Sequence, residues 1–280
     1  MPRETHGILP AVIAEAAPGT PGRFGFGANW AAYLRDIDLP RIDAATDALA
    51  ALLDRTSLHG VRVLDIGSGS GIHSLAAFRL GAHVTSFDFD AESVACTSAL
   101  CERYGRDATS RWTVVGQGSI LDPVFVHGLG EFGLVYSWGV LHHTGDLRRA
   151  VLAAASRVSS GGQLVLALYN DQGWISSYWT HVKRLYNANV LGRIAMTAIH
   201  LPYLAARCMV RFVTRKGALE RGMSLWHDYV DWLGGFPFEV ASIPEVTAWL
   251  APRGFVLQTV RSVGRRQGCN EFVFMRAHAS

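Results

Sequence analysis

Apolar and polar positions follow two rhythms along this chain. Short runs rich in β-branched residues, Val61–Ile66, Ala82–Phe87, Trp112–Gly116, Phe132–Trp138 and Gln163–Leu168, predict five buried strands. Between them, apolar residues recur at helical spacing over Leu39–Leu53, Ile72–Leu80, Ala91–Arg103 and Leu147–Val158. In the first of these Ile42, Ala45, Leu49 and Leu53 share one face. Strands alternating with helices predict an α/β fold, a doubly wound sheet that is mostly parallel. Two more strands are expected at Phe255–Val263 and Glu271–Met275. The turn between them, Arg265–Asn270, is too short for a crossover, so the seventh strand runs antiparallel.

The first strand leads into Gly67, Gly69 and Gly71, spaced G-x-G-x-G, and then into a helix and a second strand that ends at Asp88. Such a unit builds half of a nucleotide site at the carboxyl edge of a parallel sheet. The glycines suit unusual backbone angles and the close approach of a ligand. A dinucleotide fingerprint would place its third glycine one residue later. Asp65, two residues before Gly67, would repel a phosphate but suits an ammonium or a hydroxyl. Asp88 is placed to accept from both hydroxyls of a ribose. A ribose, a cationic amino-acid tail and no phosphate describe S-adenosylmethionine.

At these residues the chain resembles the class I S-adenosylmethionine-dependent methyltransferases, whose first motif has the form hhDhGxGxG. The run Ser137-Trp-Gly-Val-Leu-His142-His143-Thr-Gly-Asp146 resembles the segment after strand four in the ubiquinone and menaquinone pathway enzymes. The resemblance covers residues 61–168 and, by topology, 250–276. It implies a seven-stranded Rossmann-like sheet and S-adenosylmethionine as cofactor, leaving as S-adenosylhomocysteine. The implied cofactor residues are Asp65, Gly67, Ser68, Gly69, Gly71, Asp88 and Phe89, then Ser119 and Ile120 in the adenine loop, and Ser137 and Trp138 after strand four. Ser119 stands where the family often has an Asp. Phe26, Asn29, Trp30 and Tyr33, in a stretch of aromatics beside glycines, are read as an N-terminal lid over the cofactor site, with Trp30 expected at the cofactor and Phe26 at the substrate, and packing on the sheet edge as the alternative.

His142 and His143 follow strand four, where an open α/β sheet binds its ligand. A histidine there is suited to act as general base on an acceptor hydroxyl, because its pKa lies near the working pH. The sequence does not choose between the two, and one is expected to pack or cap instead. Tyr169 and Asn170, at the end of strand five, are expected at the substrate pocket. Asp122 before Pro123 reads as a helix cap.

From Gln172 to about Leu250 the chain exceeds what one crossover needs. Helices are expected at Trp174–Asn187, at Leu191–Thr214 with a break near Pro202, at Ser224–Leu233 and at Pro244–Leu250. The division that follows is an arm and lid over 1–60, a Rossmann-like domain over 61–171 and 251–280, and a helical cap over 172–250. Trp226 and Tyr229, with His227 and Asp228, are expected to wall the substrate. Between Gln172 and Gly222 eight Lys and Arg face a single acid, Glu220. Three readings stay open: attraction of an anionic substrate, contact with an anionic membrane surface, or solvated helix faces.

Composition narrows the picture. The net charge of +3 is modest, so no nucleic-acid partner is expected. Cys96, Cys101, Cys208 and Cys269 form no C-x-x-C pair, and no metal-ligand cluster is evident. Without a signal pattern or a long uncharged apolar run, a cytoplasmic protein is expected. The function these features imply is methylation of a small molecule, anionic or aromatic, most simply at a hydroxyl oxygen. N- or C-methylation, a NAD-dependent oxidoreductase, a tRNA or protein methyltransferase and a decayed binding scaffold are the alternatives. An apolar cap would also serve as a homodimer surface.

Overall fold

The structure, a computed structural model, describes Trp30, Leu34 and residues 37–105, 111–213 and 232–278. The expected contributions of Phe26, Asn29, Tyr33, Trp226, His227, Asp228 and Tyr229 fall outside the described residues. Helix α1 (Leu39–Leu53) precedes β1 (Arg62–Ile66), α2 (Ile72–Arg79), β2 (His83–Asp88), α3 (Ala91–Tyr104) and β3 (Trp112–Gln117). Then come α4 (Pro123–Gly128), β4 (Phe132–Trp138), α5 (Leu147–Ala155) and β5 (Val158–Tyr169). Helices α6 (Trp174–Ala188), α7 (Val190–Val213) and α8 (Ile243–Leu250) lead to β6 (Phe255–Arg261) and β7 (Cys269–Arg276). The seven strands lie in the order β3-β2-β1-β4-β5-β7-β6. The first five are parallel; β7 runs antiparallel to both its neighbours.

Alternate residues of the central strands feed two cores, as a pleat requires. Leu64, Ile66, Val135, Leu164 and Leu166 pack beneath α5 and α8. Val63, Leu134, Tyr136, Val165 and Val273 face the opposite way, toward α1 and α2. A third cluster, Trp179, Val182, Tyr186, Leu233 and Phe238, belongs to the helices after β5. Tyr169 packs against it and so joins that cluster to the sheet.

Three expectations about elements need correction. Helix α5 ends at Ala155, not Val158, because Val158 already pairs with Phe132 of β4. The glycine turn Ser159–Gly162 is therefore an irregularity within β5; pairing resumes at Leu134 with Gln163, and Gly161 has φ +71°. Helix α7 passes through Pro202 without a break. Pro202 and Ala198, whose carbonyl loses its partner, both lie on the exposed side, where water can replace the missing bond.

Candidate active site

The carboxyl ends of β1, β2, β4 and β5 meet at one edge of the sheet, and the expected site residues gather there. Gly67, Gly69 and Gly71 all have positive φ, at +74°, +54° and +82°. A side chain at Gly67 would also collide with Val140, whose Cγ1 would lie 2.4 Å from the new Cβ. At Gly69 the Trp30 indole stands 3.0 Å from the corresponding position, so Trp30 covers the loop from outside. Gly67 and Ser68 donate their N–H groups to the Phe87 carbonyl, which ties the loop to the end of β2.

Asp88 closes this loop. Its Oδ2 accepts from Gly69 N at 2.9 Å and its Oδ1 from Asp90 N at 2.9 Å. Each oxygen keeps a lone pair, the acceptors that two ribose hydroxyls need. Burial pushes the Asp88 carboxyl up to about 6; the backbone donors oppose that rise without cancelling it. Phe89, next in the chain, is exposed beside it, and Gln117 Nε2 donates to its carbonyl at 2.9 Å.

Other expected cofactor residues turn inward. Asp65 is buried and accepts from Ser74 Oγ at 2.5 Å. Ser74 also bonds Ser86 Oγ at 2.7 Å, and Ser86 accepts from Trp112 Nε1 at 3.0 Å. This chain of bonds locks α2 against β1, β2 and β3 directly below the glycine loop. Burial pushes the Asp65 carboxyl up to about 7. Ser68 directs its hydroxyl to Thr97 of α3 at 2.8 Å, and Thr97 donates to the Gly69 carbonyl at 3.1 Å. Ser137 donates to the Ile66 carbonyl at 3.0 Å. The Ser119 hydroxyl accepts from Leu121 N at 3.2 Å, and Ile120 is in the core under α5. Side chains expected to touch the ligand thus brace the loops that would carry it.

Trp138 reaches sideways along the sheet. Its Nε1 donates to Glu271 Oε1 at 2.9 Å, across the small Ala167 that separates them in register. Arg261 Nη1 approaches the other oxygen of Glu271 at 3.8 Å. His73, at the start of α2, packs between Tyr136 and Trp138.

The two histidines occupy a single helical turn after β4 but differ in environment. His142 is fully buried, its ring 3.8 Å from that of Tyr169, and its Nδ1 accepts from Tyr169 N at 3.2 Å. His143 is half-buried, with Nδ1 2.6 Å from the Pro237 carbonyl oxygen. A carbonyl only accepts, so Nδ1 of His143 carries the proton and, in the neutral ring, the lone pair is on Nε2. The segment from Pro237 to Ala241 is strapped over this turn. Glu239 N donates to the His142 carbonyl, and the Glu239 carboxylate accepts from Gly145 N and Leu147 N, both at 3.0 Å. Ala241 N donates to the Tyr169 carbonyl. Glu239 and Pro237 carried no motif in the sequence; their role depends on a contact more than ninety residues away in the chain.

Asn170 is engaged by the turn between β6 and β7. Its Nδ2 donates to the Gly264 carbonyl at 2.7 Å and its Oδ1 accepts from buried Asn270 at 2.9 Å, which anchors the turn between β6 and β7. Tyr169 instead contacts Trp232 and Phe238. Lys183, fully buried, sets its Nζ over the Trp232 ring at 4.2 Å and the Phe238 ring at 4.9 Å, and donates to the Trp232 carbonyl.

A family model described as a methyltransferase domain matches residues 34–217. The chain belongs to that methyltransferase family. Its relatives include the ubiquinone biosynthesis O-methyltransferases of Xanthomonas euvesicatoria, 33% identical over 116 residues, and Psychrobacter arcticus, 32% identical over 113 residues. These matches cover 41% and 40% of this chain and 46% and 42% of the relatives, so the chain matches less than half of each relative's length. Among solved structures, an O-methyltransferase family protein from Burkholderia thailandensis superposes with a TM-score of 0.56 at 14% identity, covering 91% of this chain and 60% of the other. A magnesium protoporphyrin IX methyltransferase from Synechocystis with bound S-adenosylhomocysteine gives 0.51 at 12% identity, covering 96% and 93%. At such identities the agreement concerns the fold.

S-adenosylmethionine is the cofactor that the sequence motifs imply. The glycine loop and Asp88 fit that group: the loop leaves no room for a β-carbon at Gly67, and Asp88 offers acceptors but no positive charge for a phosphate. Among the described residues no helix is long and apolar enough to cross a membrane.

Proposed function

We propose that this methyltransferase transfers its methyl group to a hydroxyl oxygen of a small acceptor, with His143 as general base. The observation that carries this is the bond between His143 Nδ1 and the Pro237 carbonyl, which puts the lone pair of the neutral ring on Nε2. His142 is unsuited to that role, being fully buried with Nδ1 already accepting from the backbone. Bound S-adenosylmethionine supplies an electrophilic methyl on a sulfonium. The acceptor oxygen bonds to that methyl carbon, the C–S pair returns to sulfur, and the hydroxyl proton passes to His143 Nε2. Positioning supplies most of the rate, and the base adds about 10²–10⁴-fold.

In this reading Asp88 holds the ribose, the backbone of Gly67–Gly71 follows the amino-acid tail, and Trp30 covers the loop. Ser68 and Asp65 hold the shape of the loop from behind. The aromatic cluster of Tyr169, Trp179, Trp232 and Phe238 supports a flat acceptor. The similarity to ubiquinone biosynthesis O-methyltransferases agrees with a phenolic hydroxyl.

Release of S-adenosylhomocysteine, measured with dihydroxybenzoates and with matched anilines, tests the acceptor class. Turnover of phenols but not anilines is expected; methylated amines or carbon-methylated products would replace oxygen as the acceptor.

A further inference from the structure

Strand β7 carries a carboxylate where its pattern calls for an apolar residue. Phe272 and Phe274 enter the core beneath α5, and Val273 faces the other way, toward α1 and α2. Glu271, two residues before Val273, lies half-buried on that second face. An acid on a core face costs stability unless it is bonded, so its partner indicates its role. The partner is Trp138, whose Nε1 donates to Glu271 Oε1 at 2.9 Å. Arg261 is a looser second contact. Its Nη1 lies 3.8 Å from Glu271 Oε2, and its Nη2 donates to the Ala51 carbonyl in the last turn of α1.

Trp138 stands beside the glycine loop. Asp65 of β1 pairs with Tyr136 of β4, and the same parallel register continued by two residues brings Trp138 level with Gly67. Ser137 Oγ, bonded to the Ile66 carbonyl, holds the strands together at that level. His73, in the first turn of α2 where the loop ends, packs against the Trp138 ring with centroids 6.0 Å apart. Trp30 covers the same loop at Gly69.

An indole whose N–H is bonded to a carboxylate is fixed in place and polarised, with more electron density on its face. Such a face attracts a cation and gains little from a neutral thioether. The two forms of the cofactor differ in that respect: S-adenosylmethionine carries a sulfonium, and S-adenosylhomocysteine does not. We propose that Glu271 is a positioning residue for the cofactor. It sets the Trp138 indole beside the glycine loop and so raises affinity for the cationic cofactor relative to the neutral product. This rests on the reading that the cofactor lies along Gly67–Gly71, and it holds for any acceptor and for any role of His143.

The test is calorimetry on the full chain with three ligands: S-adenosylmethionine, S-adenosylhomocysteine, and sinefungin, an analogue with an ammonium in place of the sulfonium. Glu271→Leu releases the indole and should weaken the two cationic ligands about three- to tenfold more than S-adenosylhomocysteine. Glu271→Gln keeps an acceptor for the indole N–H and should shift the ratio less, in the same direction; it carries the test if the leucine variant does not fold. In a Trp138→Phe background the Glu271 substitutions should shift the ratio no further, because Glu271 acts through the indole. An unchanged ratio in the Glu271 variants, whether all three ligands weaken together or none does, would overturn the proposal and leave the pair a structural brace. A shift that persists in Trp138→Phe would also overturn it, since the Glu271 charge would then act directly. A parent chain that binds none of the three ligands would remove the glycine-loop reading itself, and the proposal with it.

Discussion

His143 Nδ1 lies 2.6 Å from the carbonyl oxygen of Pro237, a residue 94 positions further along the chain. The contact sets which ring nitrogen of the neutral imidazole carries the proton, through a backbone carbonyl that lies beyond α7 in the chain. Glu239 holds that carbonyl in place by accepting from Gly145 N and Leu147 N on the same turn. Glu239→Gln loses one of these two acceptors together with the negative charge at the N-terminus of α5. The expected cost is about 1–3 kcal/mol of stability, read as a lowered urea midpoint with an unchanged m-value. Turnover should fall further than S-adenosylhomocysteine affinity, because the strap lies over the histidines and not over the glycine loop.

With Asp88 holding the ribose, as proposed, cofactor binding should depend on pH. The folded Asp88 carboxyl is raised to about 6 by burial, and ribose hydroxyls would donate to its ionised form. Below about pH 6 the group holds a proton that the cofactor must displace. S-adenosylhomocysteine affinity should therefore fall about tenfold per pH unit on the acid side. Calorimetry near pH 6, in buffers of different ionisation enthalpy, should report proton release on binding. Asp88→Asn should weaken binding by about 1.5–3 kcal/mol and remove the proton release.

Asp65 carries the opposite implication for stability. An acid with a raised folded pKa binds its proton more tightly in the folded state, so stability falls as pH rises between the unfolded value of 3.8 and about 7. Asp65→Asn keeps an acceptor for the Ser74 hydroxyl and removes the buried charge. The variant should gain melting temperature relative to the parent as pH increases from 5 to 8, with little difference at pH 4. A constant offset across that range would show that Asp65 titrates normally.

Gly67 answers to two separate constraints, the positive φ and the approach of Val140. Gly67→Ala should destabilise the fold by about 1–3 kcal/mol. Adding Val140→Ala should recover the steric part and leave the conformational part. Denaturation of the two single variants and the double variant measures that coupling, and strict additivity would mean that Val140 does not limit the loop.

Much of the fold could be read from the sequence because the local signals were strong. The β-branched runs gave each central strand, Asp122 before Pro123 did cap α4, and the short turn after β6 did reverse β7. The boundary at Val158 was misplaced because helical and strand patterns overlap there, and only pairing with Phe132 decides between them. Pro202 was misread because its cost depends on which side of the helix meets water. At the site, glycine spacing and Asp88 were legible, since backbone conformation and a terminal acid are local properties. The inward turn of Ser68, Ser137 and Asp65 was not, because each direction is set by a partner on another element: Thr97, Ile66 or Ser74. The same holds for Asn170, which pairs with Asn270, and for the different surroundings of His142 and His143.

The most direct test of the account is the pH dependence of single-turnover methyl transfer to a phenolic acceptor, with S-adenosylmethionine saturating so that Asp88 does not contribute. His143→Asn keeps an N–H for the Pro237 carbonyl and removes the Nε2 lone pair. The account predicts a rate that drops on the acid side in the parent, and a rate lower by about 10²-fold or more with no acid limb in His143→Asn, at unchanged S-adenosylhomocysteine affinity. A His143→Asn enzyme that keeps the parent's rate and its acid limb would contradict it.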